Sequence, residues 1–575
     1  MKTNACFVSV FRLSLLGLTS LAVGAQAATY NWQGDTNANF TDGANWVENS
    51  WSQWDDYRFG TDVVNGAVTI NGYFGIGSLS LQSGLTQDIV LTSSNPQPVI
   101  MSTAIANSGL ALISIAADSR DLTINGEYIA STGVTWDVGS GRTLNMTGQL
   151  KDWFATASLV KQGAGTAVLA GSNTYAGQTN IQGGTLLVTN STGLGPGGHN
   201  GATMTFIQDG ATLALQGGVS LDEHFHVWGA GVSSLGAVRS ISGNNALTNA
   251  PGGAAGYALR SNTTVGVDAD TLTVSGFYQE AGTWGLTKIG AGTLSLTAAN
   301  TFTGGTTVNA GIVNVAAQSS MINSPVVVNS GAVFQTSVDW GTGFTYGTGM
   351  GAITVNAGGI LRTSAVANTF RNGLNLNGGT VEATGGTNFN WGQYVVESTV
   401  TVAGSSTSTI TADLRFRETS TGNEGVTGDP SGVELMMSGK VGHINNVSWG
   451  YMNKSGAGTL KITGPMEIGG INLSAGKLIL EDAGADWAVN STGLNNNAQV
   501  EVSVPSGSRT LQVGIYGGGS LVKTGAGTLT LTAVNSYSGG TTVNAGTLVL
   551  QANSGQARVG GVLTVNSGAT VETTG

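Results

Sequence analysis

Four segments of this chain share one wording: Lys161-Gln-Gly-Ala-Gly-Thr, Lys288-Ile-Gly-Ala-Gly-Thr, Lys454-Ser-Gly-Ala-Gly-Thr and Lys523-Thr-Gly-Ala-Gly-Thr. Each leads into alternating apolar and polar residues and then a second glycine pair. A unit that recurs in this way buries its apolar side by stacking on its neighbours, which restricts the chain to a stacked architecture. In the last unit Leu529 and Leu531 take one side and Thr530 and Thr532 the other. That is the two-residue period of a half-buried strand, and Leu548 and Leu550 repeat it. Gly525 and Gly527 flank Ala526 at a corner, where a sharp turn penalises a Cβ.

A shorter beat runs between the full units: Val308-Asn-Ala-Gly, Val328-Asn-Ser-Gly, Val355-Asn-Ala-Gly, Leu376-Asn-Gly-Gly, Val543-Asn-Ala-Gly and Val565-Asn-Ser-Gly. The gaps Asn309 to Asn329, Asn356 to Asn377 and Asn544 to Asn566 are 20, 21 and 22 residues. The spacing predicts an all-β chain, a β-solenoid with about 20–22 residues per coil. Asn before a small residue and Gly suits a tight corner, and amides in successive coils are placed to share hydrogen bonds. Glycine at 91 of 575 residues with only 8 prolines fits many short strands and tight turns. Tyr175, Phe302 and Tyr537 recur just before the second glycine pair and read as a hydrophobic plug at a corner. An aromatic ladder for stacking sugars would need these rings exposed in adjacent coils, and they lie too far apart in sequence.

The N-terminus has the three-part layout of a cleavable secretory signal: Lys2 and Arg12, an apolar run from Leu13 to Val23, then Ala25-Gln26-Ala27 before Ala28. Cleavage is expected after Ala27. The run falls short of the ~20 apolar residues that cross a bilayer, and no later segment is apolar enough to span, so the mature chain has no membrane-spanning segment. Cys6, the one cysteine, lies inside the signal. A cysteine-free exported chain suits passage through a second membrane and favours a Gram-negative surface protein. Charged residues make up 9% of the chain and the net charge is −11, or −13 once Lys2 and Arg12 leave. Without a Lys/Arg cluster to neutralise phosphates, nucleic acid is excluded as a partner.

The repeated units resemble the autotransporter-associated β-strand repeat, also called the passenger-associated transport repeat, a module of large secreted bacterial proteins. The shared signature is Lys-x-Gly-x-Gly-Thr-Leu-x-Leu, then Asn-x-Tyr/Phe-x-Gly-Gly-Thr, then Val-x-Ala-Gly-Thr-Leu. The copy at 521–550 matches throughout, 286–315 departs mainly at Ile312, and 159–188 has Gln178 in place of the second glycine. The copy at 452–480 lacks the Asn and the aromatic and is one residue shorter before Gly469-Gly470, so it reads as a degenerate coil. Together they cover about a fifth of the chain. The resemblance implies a right-handed parallel β-helix in a passenger region, with repeats that assist folding and export, and it supplies no catalytic residues. Related chains often end in an outer-membrane barrel or a sorting tail. Here the last residues, from Leu563 to Gly575, read as a coil in mid-pattern, and the solenoid is expected to continue beyond a truncated C-terminus.

Three domains follow: the signal at 1–27, a Trp-rich cap at 28–65 and the solenoid at 66–575. The cap rests on Trp32, Trp46, Trp51 and Trp54, since a solenoid needs its first coil covered; exposed tryptophans stacking on glycans are the other reading. Asp35-Thr-Asn-Ala-Asn-Phe begins like a calcium loop, but Phe40 stands at the required glycine and Trp46 at the bidentate acid, so it reads as a solvated turn. Asp222-Glu-His-Phe-His226 is the densest ionisable cluster, and on a strand His224 and His226 would share a side as two metal ligands might. No third ligand can be named, since His199 and His443 lack a comparable setting, and an exposed polar strand edge is the expectation. Gly428-Asp-Pro-Ser-Gly superficially matches a nucleophile turn, which Pro430 breaks.

No residue is assigned a catalytic, cofactor-binding or metal role. The expected function is that of an exported structural or adhesin-like passenger at the cell surface, outer membrane or exterior of a Gram-negative bacterium. Surface glycans, matrix or other cells are its candidate partners. The alternatives are a glycan-binding module, or a polysaccharide lyase or hydrolase on a β-helix scaffold. An enzyme would need carboxylates converging in one groove, and here Asp and Glu are scattered.

Overall fold

The computed structural model describes residues 28–574 apart from 35–39, 49–54, 71–73, 94–98, 103–112, 131–132, 153–155, 198–202, 249–255, 318–323, 338–350, 365–367, 371–372, 385–393, 397–398, 417–424, 429–433, 444–450, 482–486 and 552–557. The proposed signal with Cys6, the Asp35 turn, Trp51, Trp54, His199 and the Asp429–Gly432 turn fall outside the described residues.

Short strands of Thr, Val, Leu and Ile alternate inward and outward residues, as in Thr293–Leu296 with Leu294 and Leu296 buried. One such strand cannot bury its apolar side alone, so each lies parallel on the strand one coil earlier. Ladders of this kind form the long faces of a parallel β-solenoid. One eleven-stranded face runs from Thr29–Trp32 to Phe277–Gln279, and a sixteen-stranded face from Ser220–Leu221 to Leu563–Val565. Between them a second face climbs from Ala67–Ile70 to Ile515–Tyr516. Met466–Leu473 and Trp487–Asn496 bend round a corner, so their first halves pair on one face and their second halves on another. The only helical turns among the described residues are the 3-10 turns Gly43–Asn45 and Val232–Ser234, and no helix is long and apolar enough to cross a membrane.

Coil length follows the expected beat inside the repeats: Leu286 lies 20 residues before its partner Thr306, and Ile312 lies 21 before Val333. Elsewhere insertions at corners lengthen the coil, to 34 residues from Leu79 to Ile113 and 32 from Phe225 to Tyr257. The ladder register survives because insertions leave at corners, where no rung is lost.

The corner asparagines stack at the expected spacing in the pairs Asn309–Asn329, Asn356–Asn377 and Asn544–Asn566, and also across a longer gap of 27 residues from Asn329 to Asn356. Asn329 Nδ2 donates to Asn309 Oδ1 at 2.7 Å, Asn356 Nδ2 to Asn329 Oδ1 at 2.7 Å, and Asn377 Nδ2 to Asn356 Oδ1 at 3.0 Å. Asn566 repeats the bond to Asn544 at 2.6 Å. Each amide has one donor and one acceptor side, so a row of them continues from coil to coil.

At the N-terminal end Trp32, Phe40, Trp46, Tyr57 and Phe59 are buried in one cluster. Trp32 and Trp46 meet edge to face at 4.9 Å, and Phe40 packs on Trp46 at 4.9 Å. Both indole N–H groups are satisfied, by Asn65 O and Phe40 O. These two rings are therefore unavailable for stacking sugars. Thr29–Trp32 is itself a rung, paired with Asp56–Phe59, so this segment belongs to the ladder.

Candidate functional site

The signature lysine of the repeats does something its sequence setting did not announce. In Leu286–Ile289 the residues alternate, and Lys288 falls on the inward side with Leu286. Its ammonium donates to Ile289 O and Gly290 O, both at 2.8 Å, and to Ala310 O one coil later at 3.2 Å. Lys161 does the same with Gln162 O, Gly163 O and Gly183 O, Lys454 with Ser455 O, Gly456 O and Ala475 O, and Lys523 with Thr524 O, Gly525 O and Ala545 O. Three N–H donors meet three carbonyls that the corner takes out of the ladder. Burial pulls Lys161, Lys288 and Lys454 down to about 8, and Asp137 and Asp268 oppose that pull at the first two. Lys523 moves the same way, also through burial. A value of about 8 keeps the ammonium charged at neutral pH.

Glycines make room for this clamp. Gly290 has φ +81° and Gly311 φ +64°. A Cβ on Gly311 would stand 2.4 Å from Gly292 O and 2.5 Å from Gly290 O, so the two corners of a unit seat directly on each other. The same approach recurs at Gly184, Gly476 and Gly546. The degenerate copy at 452–480 thus keeps the lysine corner intact. Where the plug is missing, Met466 and Ile468 are buried on either side of Glu467.

In the other three copies the signature Asn ties one coil to the previous one. Asn173 Oδ1 accepts from Leu150 N, Asn300 Oδ1 from Phe277 N and Asn535 Oδ1 from Ile515 N, at 2.7, 2.9 and 2.9 Å. Beside them Tyr175, Phe302 and Tyr537 are buried as the expected plugs. Tyr175 Oη pairs with Thr179 Oγ1 at 2.7 Å, and Tyr537 Oη pairs with Thr541 Oγ1. Phe302 has no hydroxyl, and the matching Thr306 Oγ1 is buried without a hydrogen-bond partner among the described residues. Phe302→Tyr is therefore expected to stabilise the unit by about 1 kcal/mol, read as slower amide exchange at Thr306–Val308; faster exchange would show that the ring pocket cannot take the oxygen.

The ionisable cluster at 222–226 corrects its sequence reading. An exposed polar edge was expected, yet Glu223, His224 and His226 are only 2%, 3% and 6% exposed. Phe225 and Val227 point into the core, so His226 stands on the outer side, where Trp228 of its own coil and Phe206 and Arg260 of the adjoining coils lie against it. His224 and His226 do share that side, with ring centroids 5.1 Å apart. The Arg260 guanidinium stands 3.0 Å from His226 Nδ1 and 3.4 Å from Nε2, and Nε2 also lies 3.4 Å from Glu280 Oε1. Burial first, and Arg260 next, press His226 down to about 4, so it is neutral at physiological pH. Arg260 also pairs with Glu280 Oε2 at 2.6 Å and lies over the Trp228 ring at 5.9 Å, while Tyr278 Oη meets His224 Nε2 at 3.1 Å. Among the described residues no three His, Cys, Asp or Glu groups are placed to hold a metal ion. Glu223 faces inward, where its Oε1 accepts from Thr205 Oγ1 at 3.4 Å. Burial, with Asp222 adding to it, pushes Glu223 up to about 9, so it is a neutral acid at pH 7.

This architecture is a parallel β-solenoid whose corners are closed by a repeated lysine clamp, and the chain carries passenger-associated transport repeats: that family matches residues 159–188, 286–315 and 521–550. Over 278 residues, 44% of this chain, the sequence is 32% identical to the Adhesin BmaC autotransporter of Brucella suis biovar 1 (strain 1330). The matched part spans 7% of that relative's length. No solved structure matches the chain.

Proposed function

We propose that this chain is passenger material of an exported, adhesin-like autotransporter protein of a Gram-negative cell surface, and that the solenoid itself is the display surface. The observation that carries the reading is the coincidence of three matched transport repeats with a 278-residue likeness to a protein named as an adhesin autotransporter. The continuous parallel ladder supports it, since stacked coils make a long surface that needs no active-site cleft. In this reading residues 1–27 direct export and are removed, residues 28–65 cap the first coil, and the solenoid from residue 66 onward presents contacts to glycans, matrix or other cells. The buried Trp32–Trp46 pair favours capping.

The purified mature chain, tested against immobilised glycans, matrix proteins and whole cells, is expected to bind at least one of them and to release no reducing ends from any polysaccharide. Steady release of reducing ends would replace this reading with the enzyme.

A further inference from the structure

The outer side of the coils from Thr205 to Gln279 carries a set of half-exposed aromatic and polar side chains. Along one row Phe206 lies beside His226, His226 beside Ala258, and Ala258 beside Tyr278. Trp228, Arg260 and Glu280 each stand two residues beyond a member of that row, on the same side. Ala258 is the small member, and the larger neighbours close over it: it is fully buried although it faces outward. Tyr278 Oη reaches back two coils to His224, and Arg260 is fixed between Glu280, His226 and the Trp228 ring. The polar atoms are thus held in place before any partner arrives.

A second observation stands at the margin of this row. The loop that follows Trp228 holds Ser233 and Ser234 at φ 52° and 58°, two consecutive non-glycine residues in left-handed backbone. Such backbone costs on the order of 1 kcal/mol or more per residue and persists only where its surroundings impose it. Here they do. The buried Thr212 hydroxyl donates to Gly236 O at 2.9 Å and accepts from Val232 N at 2.9 Å. Gly229 N donates to Ser261 Oγ, in the coil that carries Arg260, at 2.7 Å. What this scaffold presents to solvent is Ser233, Ser234 and Leu235, the last 43% exposed.

Charge selects the partner. Around this face stand the carboxylates of Asp209, beside Gly229, and Glu280 against the guanidinium of Arg260, on a chain of net charge −11. That balance repels phosphates, sulfates and uronates. Aromatic faces beside fixed carboxylate, guanidinium and hydroxyl groups match a ligand with apolar C–H faces and many neutral hydroxyls.

We propose that the face formed by Phe206, Trp228, Arg260, Tyr278 and Glu280, with the 229–236 loop at its edge, binds an uncharged polysaccharide. This rests on the reading of the solenoid as an external adhesive surface, because such polymers are met outside the cell. The test uses the mature chain on immobilised mannan, dextran, galactan and β-glucan, with heparin and hyaluronan alongside, at low and at 1 M salt. At least one neutral polymer is expected to bind and to stay bound at 1 M salt, and Trp228→Ala is expected to lose about tenfold in affinity. Trp228→Phe, which keeps a ring, is expected to recover most of it, with both variants showing wild-type thermal unfolding. If no neutral polymer binds, if only heparin or hyaluronan binds, or if folded Trp228→Ala binds as the wild type does, the proposal is overturned. Whole-cell attachment that persists in folded Trp228→Ala would remove this site and leave the adhesive reading standing. Glycan binding without any cell attachment would do the reverse.

Discussion

Replacing Lys288 by Met is expected to open the corner of the second repeat and cost about 3–5 kcal/mol. The methionine stem fills the same inward space, so the loss isolates the ammonium. Ile289 O, Gly290 O and Ala310 O, now at 2.8, 2.8 and 3.2 Å from Nζ, would be left in the core with no donor. Because stability in a stacked coil array is a sum of local and nearest-neighbour contributions, the damage should be regional. Amide exchange is the suitable readout: protection across 286–315 should fall by about a hundred- to a few thousandfold, since each 1.4 kcal/mol is about a factor of ten, while 159–188 stays unchanged. Lys288→Arg should fail to rescue, because a flat guanidinium cannot direct three N–H groups at three converging carbonyls. A fall of less than threefold in Lys288→Met would mean the carbonyls find other partners and the clamp is dispensable.

Glu223→Gln should act in the opposite direction and only above acid pH. The folded-state value is about 9 against an ordinary 4.5, so between those limits the folded chain holds a proton that the unfolded chain has released. Stability from this group is therefore fully present below pH 4.5 and declines as pH rises toward 9. At pH 7 the deficit reaches about 3 kcal/mol. Glutamine keeps an acceptor for Thr205 without that proton demand, so the variant should match wild type near pH 4 and exceed it by about 3 kcal/mol at pH 7. Exchange at the strands Thr205–Ile207 and Phe225–Val227, followed across pH 4–9, provides the measurement. Equal stability of the two proteins at every pH would place the carboxyl in water and refute its burial.

The fold was legible because its information is periodic. A spacing of 20 to 22 residues between corner asparagines specified the coil, and the amide pairs Asn309–Asn329 and Asn356–Asn377 are its direct consequence, while the 27-residue step from Asn329 to Asn356 that joins them was not legible from the beat. The plugs Tyr175, Phe302 and Tyr537 could be placed for the same reason. Lys288 was missed although a signal existed: it shares strand parity with Leu286, and a lysine on the inward beat requires acceptors in the core. The face around His226 was hidden for a different reason. Its members come from coils of 20, 32 and 20 residues, so no fixed spacing relates Phe206 to His226, Ala258 and Tyr278. Where insertions break the beat, contacts across coils cannot be counted from sequence.

The four units do not keep to one side of the solenoid. The copy at 159–188 occupies the first and second faces, 286–315 the second and third, and 521–550 the third and the short last sheet. Every hydrogen bond of each lysine clamp lies inside its own unit, so the module closes its own corner on whichever pair of faces it occupies. Lineages of such proteins can then grow by whole-module duplication, each copy adding about 10 Å of reach without redrawing the surfaces that flank it.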